Sequence, residues 1–510
     1  MALFRTRALA PFAFRACAFA VALATGACSV GPDFQRPQAP AAAGYGDAAV
    51  PLNIPAATHE PGGEAQQVHA GSDLASDWWT LFHSKALDDF IAAALRDNAT
   101  LASASASLRE AQEVLAANRG NLQLPSANLQ LGAEREQASG AQLGLETPPS
   151  TFSLYNAQVA VTYTLDAFGA VRRQLEGLRA QVDYQENQLR AAQLALSANI
   201  VTAVVREAQL RDQVEALRDV ERLQRAGLEI VERRFAIGAV TRTDVLNQRS
   251  ALASTVAAIP PLERQRAQMR HLLAVYAGKS PSEIDLSALD RSRLELPADL
   301  PASVPSDLVR QRPDVLAAES LLHAASAQVG VATANLYPQI TLGASYGHES
   351  LAANQLFKPD TAAWGLSAGL LQPIFHGGAL QAQRRAALAA FDAAAADYRQ
   401  TVVTAFANVA DSLRALELDA QALGAVTDAY QQARAAAELA QKQFEVGAVS
   451  YLSLLSAQQQ LRQASVQVVQ TRADRFADTA ALFQAIGGGW WNPPSGGAAN
   501  GGVPAPVAAD

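Results

Sequence analysis

Cysteine is nearly absent from this 510-residue chain, which has only Cys17 and Cys28. Cys17 sits in what reads as a cleaved leader, so the remainder holds one thiol. No internal disulfide can then form, even in an oxidising compartment. Excess basic charge is lacking too: 40 Lys and Arg stand against 48 Asp and Glu, for a formal net charge of −8. Three of those arginines, Arg5, Arg7 and Arg15, belong to the leader, which carries no acid. Such a balance excludes the basic footprint of a nucleic-acid binder, and no nucleic-acid partner is expected. Past the leader, no run approaches about 18 consecutive apolar residues, so no spanning helix is expected. If the chain crosses a membrane, it must do so with strands closed into a barrel. The histidines (His59, His69, His83, His271, His323, His348 and His376) show no i, i+4 pairing and have no cysteine partners. No metal site follows from them, and no cofactor is expected.

The leader, residues 1–27, combines those arginines with a short apolar run from Ala16 to Ala27. That is the apolar core of a signal peptide and falls short of the roughly 20 residues a bilayer needs. It closes on Thr25-Gly26-Ala27-Cys28, small residues directly before a cysteine. A lipoprotein peptidase needs this arrangement, which makes Cys28 the candidate lipidation site. Thr25 departs from the Leu usual at such sites, and an ordinary signal-peptidase cut nearby is the alternative. One acyl chain anchors only marginally, so several chains or a second membrane element should hold the protein.

The body is duplicated. Phe235-Ala-Ile-Gly238-Ala239-Val240-Thr241 recurs 209 residues later as Phe444-Glu-Val-Gly447-Ala448-Val449-Ser450, and Leu122-Gln-Leu-Pro125 echoes Leu336-Tyr-Pro338. Each half reads as helix, strand, strand, very long helix, tight turn, helix. The strands alternate. Ala127, Leu129, Leu131 and Ala133 share one face, opposite Asn128, Gln130 and Glu134. Tyr155 to Leu165, Ile340 to Tyr346 and Trp364 to Leu370 repeat the pattern. Apolar residues alternating with polar or small ones over about 10 residues suit either a transmembrane barrel strand or a soluble sheet with one wet face.

The helices favour the barrel. Gly169 to Ile237 and Gly378 to Val446 are each about 69 residues, roughly 100 Å at 1.5 Å per residue. Val402, Phe406, Val409, Leu413, Leu416, Ala420 and Leu423 step by four and three in turn; Leu196, Ile200, Ala203, Leu210, Val214 and Leu217 do the same, with Glu207 at one seam position. A sustained 3.5-residue period supercoils helices into a left-handed bundle. Four strands cannot close a barrel, because single-chain barrels begin at eight. Open edges are forbidden in lipid. Either the strands are soluble, or several chains pool them. A trimer would give twelve strands. Taken together with the resemblance described next, the expected fold is mixed and mainly α: a trimeric outer-membrane β-barrel with four strands per chain, continued by a long α-helical barrel and built from two tandem repeats.

Several motifs carry a family resemblance. They are Cys28-Ser-Val-Gly-Pro32-Asp-Phe34-Gln-Arg-Pro37, Asp77-Trp78-Trp79-Thr-Leu-Phe82, Arg312-Pro313-Asp314-Val315, Leu371-Gln-Pro373-Ile374-Phe375-His-Gly377-Gly378, and both Phe-x-x-Gly-Ala-Val turns. With these, residues 28 to 490 resemble the outer membrane factors (TolC-like) of bacterial tripartite efflux systems, in the NodT-like lipoprotein branch. The resemblance implies a homotrimer in outer-membrane lipid that reaches into the periplasm. A periplasmic adaptor would dock on its tips, and an inner-membrane transporter of the resistance-nodulation-division type would supply the energy. The tips would be Gly238, Ala239, Val240 and Thr241 with Gly447, Ala448, Val449 and Ser450. Read without the family, Gly238 and Gly447 are simply helix-ending glycines. The family's gate, which often reads Leu-Leu-Asp-Ala-Gln-Arg, falls here on Leu454-Leu455-Ser456-Ala457-Gln458-Gln459 and Val245-Leu246-Asn247-Gln248-Arg249. Ser456 and Asn247 are neutral at the acidic positions, so weak cation selectivity is expected. Leu452 would be an apolar constriction. Asp244 would either pair across helices to hold the closed state or be an ordinary solvated charge.

Two strings resemble catalytic motifs. Gly343-Ala-Ser345-Tyr-Gly347 fits a nucleophile pattern but lies inside an alternating strand, without the strand-to-helix turn that exposes such a serine. Gly278-Lys279-Ser280 resembles the end of a phosphate loop, yet position 273 is Leu and the segment closes a helix instead of opening one. No enzyme is expected. The domain plan is a signal peptide (1–27), lipid anchor and extended linker (28–77), first repeat (78–276; strands near 126–136 and 153–165), inter-repeat linker (277–305), second repeat (306–489; strands near 339–348 and 363–372) and disordered tail (490–510). A protein-secretion duct of the same build, or a lipid-anchored periplasmic coiled-coil scaffold without a channel, are the competing readings.

Overall fold

The computed structural model describes residues 29–38, 53–58, 62–72, 74–139, 148–291, 293–302 and 305–494. The expected signal peptide and Cys28 lie outside these residues. The chain divides into two compact units.

The first unit comprises the chain to Pro37, Ser107–Gln185 and Ala318–Tyr398. It is built on four antiparallel strands: β3 (Ser126–Ala138), β4 (Ser150–Leu165), β6 (Gln339–Ser350) and β7 (Ala362–Leu371), in the order β3-β4-β6-β7. The register places Leu129 opposite Val159, Val159 opposite Tyr346, and Tyr346 opposite Trp364. A second row runs Ala127, Val161, Ala344, Leu366. Because side chains alternate with period two, these rows share one face. That face is bare, with Leu129 70% and Trp364 75% exposed. The opposite face is polar or small: Ser126, Thr162, Gly343 and Ser367 form one row, and Gln158 Nε2 donates to Gln130 Oε1 at 3.1 Å in another. β3 and β7 each pair on one side only.

Residues Ser29 to Pro37 lie against the helical part of this unit. Asp33 pairs with Arg173 at 2.5 Å, Phe34 stacks on His323 with centroids 4.3 Å apart, and Arg36 pairs with Glu319 at 2.6 Å. His323 also meets Glu176 at 2.9 Å. Gly31 adopts φ +98° and rests on the Gly330 backbone, where a Cβ would collide. The Gly-Pro-Asp-Phe-x-Arg-Pro motif is therefore a clip, held through Gly31, Asp33, Phe34 and Arg36.

The second unit comprises Gln38–Ala106, Glu186–Ala317 and Arg399 onward. It contains α1 (Lys85–Asp97) and the greater parts of two 67-residue helices, α3 (Ala170–Ala236) and α8 (Ala379–Glu445). These return as α4 (Arg242–Tyr276) and α9 (Tyr451–Ala485). The seam residues expected from the 3.5-residue period are buried on both long helices, except Phe406, which is half-buried. Glu207, the one acid in the first seam, is also buried and receives Arg266 at 2.7 Å and Arg270 at 3.5 Å. Arg312 of the Arg-Pro-Asp motif grips Asp314 and donates to the Ala485 carbonyl at 2.8 Å, capping the end of α9. Trp78 and Phe82 of the Trp-Trp motif pack on Phe483, with centroids 5.5 and 6.3 Å away.

Two expectations need correction. The segments expected to be irregular linkers hold a three-stranded sheet: β1 (Asn53–Ile54), β2 (Gln66–Ala70) and β5 (Asp299–Ala302), with β2 and β5 parallel. A short helix, α5 (Ser287–Arg291), lies there as well. Strands this short show no local hydrophobic period; contacts distant in sequence join them, as where His69 meets Asp299 at 2.9 Å. Residues 490–492, placed in the expected tail, are packed instead. Trp490 donates its indole N–H to the Gln311 carbonyl at 2.7 Å and lies under Arg190 at 3.9 Å, while Asn492 donates to the Leu74 carbonyl at 2.7 Å. Among the described residues, one helix, α7 (Pro313–Ala334; α6 is Pro305–Gln311), is long and apolar enough by length and composition to cross a membrane. It lacks an uninterrupted apolar run, and its Glu319 and His323 are paired as described.

Candidate functional site: the helical tips and the sheet edges

The two tips are built alike. After α3, Gly238 adopts φ +76°; its N–H donates to the Phe235 carbonyl at 2.9 Å, and that of Ala239 to the Arg234 carbonyl at 2.8 Å. After α8, Gly447 adopts φ +80°, with bonds from Gly447 to Phe444 at 3.0 Å and from Ala448 to Gln443 at 2.8 Å. Both are Schellman closures, in which only glycine enters the left-handed region cheaply. Val240 and Val449 fold back onto an apolar cluster that includes Val231, Val245, Phe444 and Leu454. Ile237 and Val446, equivalent by the repeat, project into the open at about 80% exposure.

The next helices start differently. Thr241 and Asp244 form a complete capping box: the Asp244 N–H donates to Thr241 Oγ1 at 3.2 Å, and the Thr241 N–H donates to Asp244 Oδ2 at 2.8 Å. The Thr241 hydroxyl donates to the same oxygen at 2.8 Å. Ser450 caps α9 through the Ser453 N–H at 3.3 Å, with a second serine where the first tip has its aspartate. Asp244 is therefore a helix cap within the chain, a role that neither expected reading, cross-helix pairing or a solvated charge, includes. Two donors of its own turn, the Thr241 N–H and hydroxyl, reach its carboxylate at Oδ2. Asn247 and Ser456 are both exposed, and Leu452 is 72% exposed.

The sequence reading missed the buried polar cluster above the tips. Gln248 Nε2 donates to the Gln224 carbonyl and to Gln458 Oε1, both at 3.1 Å, and the Tyr451 hydroxyl donates to Gln248 Oε1 at 3.2 Å. Burial pushes the Tyr451 phenol up to about 12, aided by the negative charge of Asp244. Arg234 donates to the Phe444 carbonyl and lies 4.8 Å over its ring, tying the end of α3 to the end of α8. The overlooked signal was a glutamine three residues after Val245, on a seam otherwise apolar.

The enzyme-like strings carry no catalytic geometry. Ser345 lies mid-strand in β6 opposite Gly365, and Gly278 turns the chain at φ +68° after α4. Among the described residues, no group of three or more His, Cys, Asp or Glu is placed to hold a metal.

A sheet with a bare apolar face and two open edges, in a chain whose long helices end in exposed glycine turns, defines the protomer of an outer-membrane duct. The comparisons agree. Residues 90–279 and 304–488 match the outer membrane efflux protein family, and the chain belongs to it. It is 30% identical to the pyoverdine export outer membrane protein OpmQ of Pseudomonas putida, over 81% of this chain and 88% of that one. It is equally similar to the outer membrane protein OprJ of Pseudomonas aeruginosa, over 94% and 96%. The structure of the outer-membrane channel OprN superposes with a TM-score of 0.81 at 27% identity, covering 91% of this chain and all of that one. The chain is the outer-membrane channel component of an efflux pump, located in the outer membrane and extending into the periplasm.

Proposed function

We propose that three copies of this chain close one twelve-stranded barrel and conduct small molecules outward, received from a periplasmic adaptor and an inner-membrane transporter of the resistance-nodulation-division type. The observation that carries this is the pair of unpaired edges, on β3 and β7, in a sheet whose apolar face is bare. In lipid, each unpaired backbone group costs several kcal/mol, so the edges must meet other edges. The helices support the same reading: α2 (Ala99–Gln123) buries only Leu101 of its 25 residues, a surface that neighbouring copies would cover.

The exposed Ile237 and Val446, together with residues 238–241 and 447–450, are the surface we assign to the adaptor. Cys28 is the assigned acylation site, and Asp33, Phe34 and Arg36 fasten the adjoining segment to the first unit. Asn247, Ser456 and Leu452 are assigned to the constriction, with Asp244 supporting it as a cap. A coiled-coil scaffold without a channel would leave the apolar sheet face without purpose. Purified protein should run as a heat-modifiable trimer from outer-membrane fractions and give unitary conductance steps in planar bilayers. A monomer extractable without detergent after loss of its acyl chain would refute the duct.

A further inference from the structure

The two repeats place two strand-to-helix junctions at the foot of the sheet, and only one of them is covered. In the first, β4 ends at Leu165 opposite Ile340 of β6. Three residues beyond that pair on each strand, Phe168 and Tyr337 stack with centroids 5.0 Å apart and planes 22° from parallel. The amino-terminal strap completes the cover: the Val30 N–H donates to the Phe168 carbonyl at 3.2 Å, and Ser29 lies against Gly169.

The second junction follows β7 and is bare. Ile374 is 94% and Phe375 86% exposed, and a Cβ on Gly377 or Gly378 would meet nothing within 4 Å. The Gln372 side chain donates to the Leu336 carbonyl at 3.1 Å, so the start of this loop is held in place. The equivalent of Tyr337-Pro338 in the first repeat is Leu124-Pro125, at the foot of β3, where Leu124 is also bare at 63% exposure. Within one chain these two apolar sites lie at the two unpaired edges of the sheet.

We infer that Ile374 and Phe375 of one copy pack against Leu124 of the next, reproducing between chains the Phe168–Tyr337 contact made within each. The inference rests on the shared-barrel reading above. When β7 meets the next copy's β3, the foot of that pair becomes the repeat-related counterpart of the foot of β4 and β6. The counterpart loop is three residues longer, so two apolar residues stand where the first junction has one.

The test combines Leu124→Cys with Phe375→Cys, and separately with Ile374→Cys, in the full-length protein in outer membranes. A methanethiosulfonate bridge about 5 Å long, near the separation disulfide geometry spans between Cα atoms, is then applied. Each double variant should give covalent dimers and trimers on non-reducing denaturing gels, and each single-cysteine variant neither. As a second readout, Phe375→Ser should lower the temperature at which the unheated trimer band dissociates, with Phe375→Leu restoring most of it. Trimers that form normally but never cross-link would overturn the inference and place the pair against lipid. A cross-link confined to one chain would overturn it too. Absence of any trimer in the wild type would instead defeat the shared barrel itself.

Discussion

Arg475 is the residue on which the small sheet of the second unit depends. It is fully buried and donates to the carbonyls of Gly62 (3.0 Å) and Glu64 (2.6 Å) and to Gln66 Oε1 (3.3 Å). Burial lowers its pKa from the usual arginine value. Arg475→Ala strands these acceptors without water, and should cost about 3–5 kcal/mol, as breaking buried charged contacts does. Guanidinium unfolding curves would measure it. One helical turn from Arg475, Asp478 approaches Asp419 of α8, with Asp474 nearby. Asp419 is pushed up to about 7, first by burial, then by its hydrogen bond with Asp478 and the charges of Asp478 and Asp474, against Arg475. A raised carboxylate pKa means the folded state binds more protons between about pH 4 and 7, so stability falls as pH rises through that window and levels off above it. Melting at fixed ionic strength should show that decline, and Asp419→Asn should flatten it and stabilise the protein at pH 8.

At the scale of elements, the capping box separates two roles for Asp244. If it serves chiefly as a cap, Thr241→Ala and Asp244→Ala each cost about 1 kcal/mol. Their effects should not add in the double variant, because both remove the same bonds. A chemical-denaturation double-mutant cycle measures this, and additive costs would point to a separate partner for the carboxylate. The elements themselves were largely legible. Strands and long helices announce themselves by period, and Gly238 and Gly447 by the backbone conformation they permit. Strand ends shifted by at most three residues from expectation. What stayed hidden depends on contacts distant in sequence: β2 with β5, Arg475 with Gly62, Trp490 with Gln311. None leaves a local pattern. The Gln248 cluster is half-visible, as a polar residue on an apolar seam, but its partners Gln224, Tyr451 and Gln458 are brought to it only by the fold.

At the scale of the whole molecule, the neutral Asn247 and Ser456, proposed above for the constriction, lead to a prediction for the duct. Reversal potentials across bilayers under a salt gradient should show weak cation preference. Ser456→Asp should strengthen it by adding one carboxylate per copy in a narrow, poorly screened bore. An unchanged reversal potential would remove Ser456 from the bore. That several copies must share a barrel was inferable from the sequence because four strands are too few to close one; the number three came from the family resemblance. The contacts that join the copies were not inferable, since residues such as Leu124 and Phe375 look like ordinary loop hydrophobics until the repeat is laid over the sheet.

The repeat is also imperfect where it matters for partners. One turn opens its returning helix with a threonine and an aspartate, the other with two serines. Three copies would therefore display six similar projections of alternating chemistry, three charged and three neutral. A ring-shaped partner would find threefold order there, and its own subunits would occupy two distinct kinds of seat.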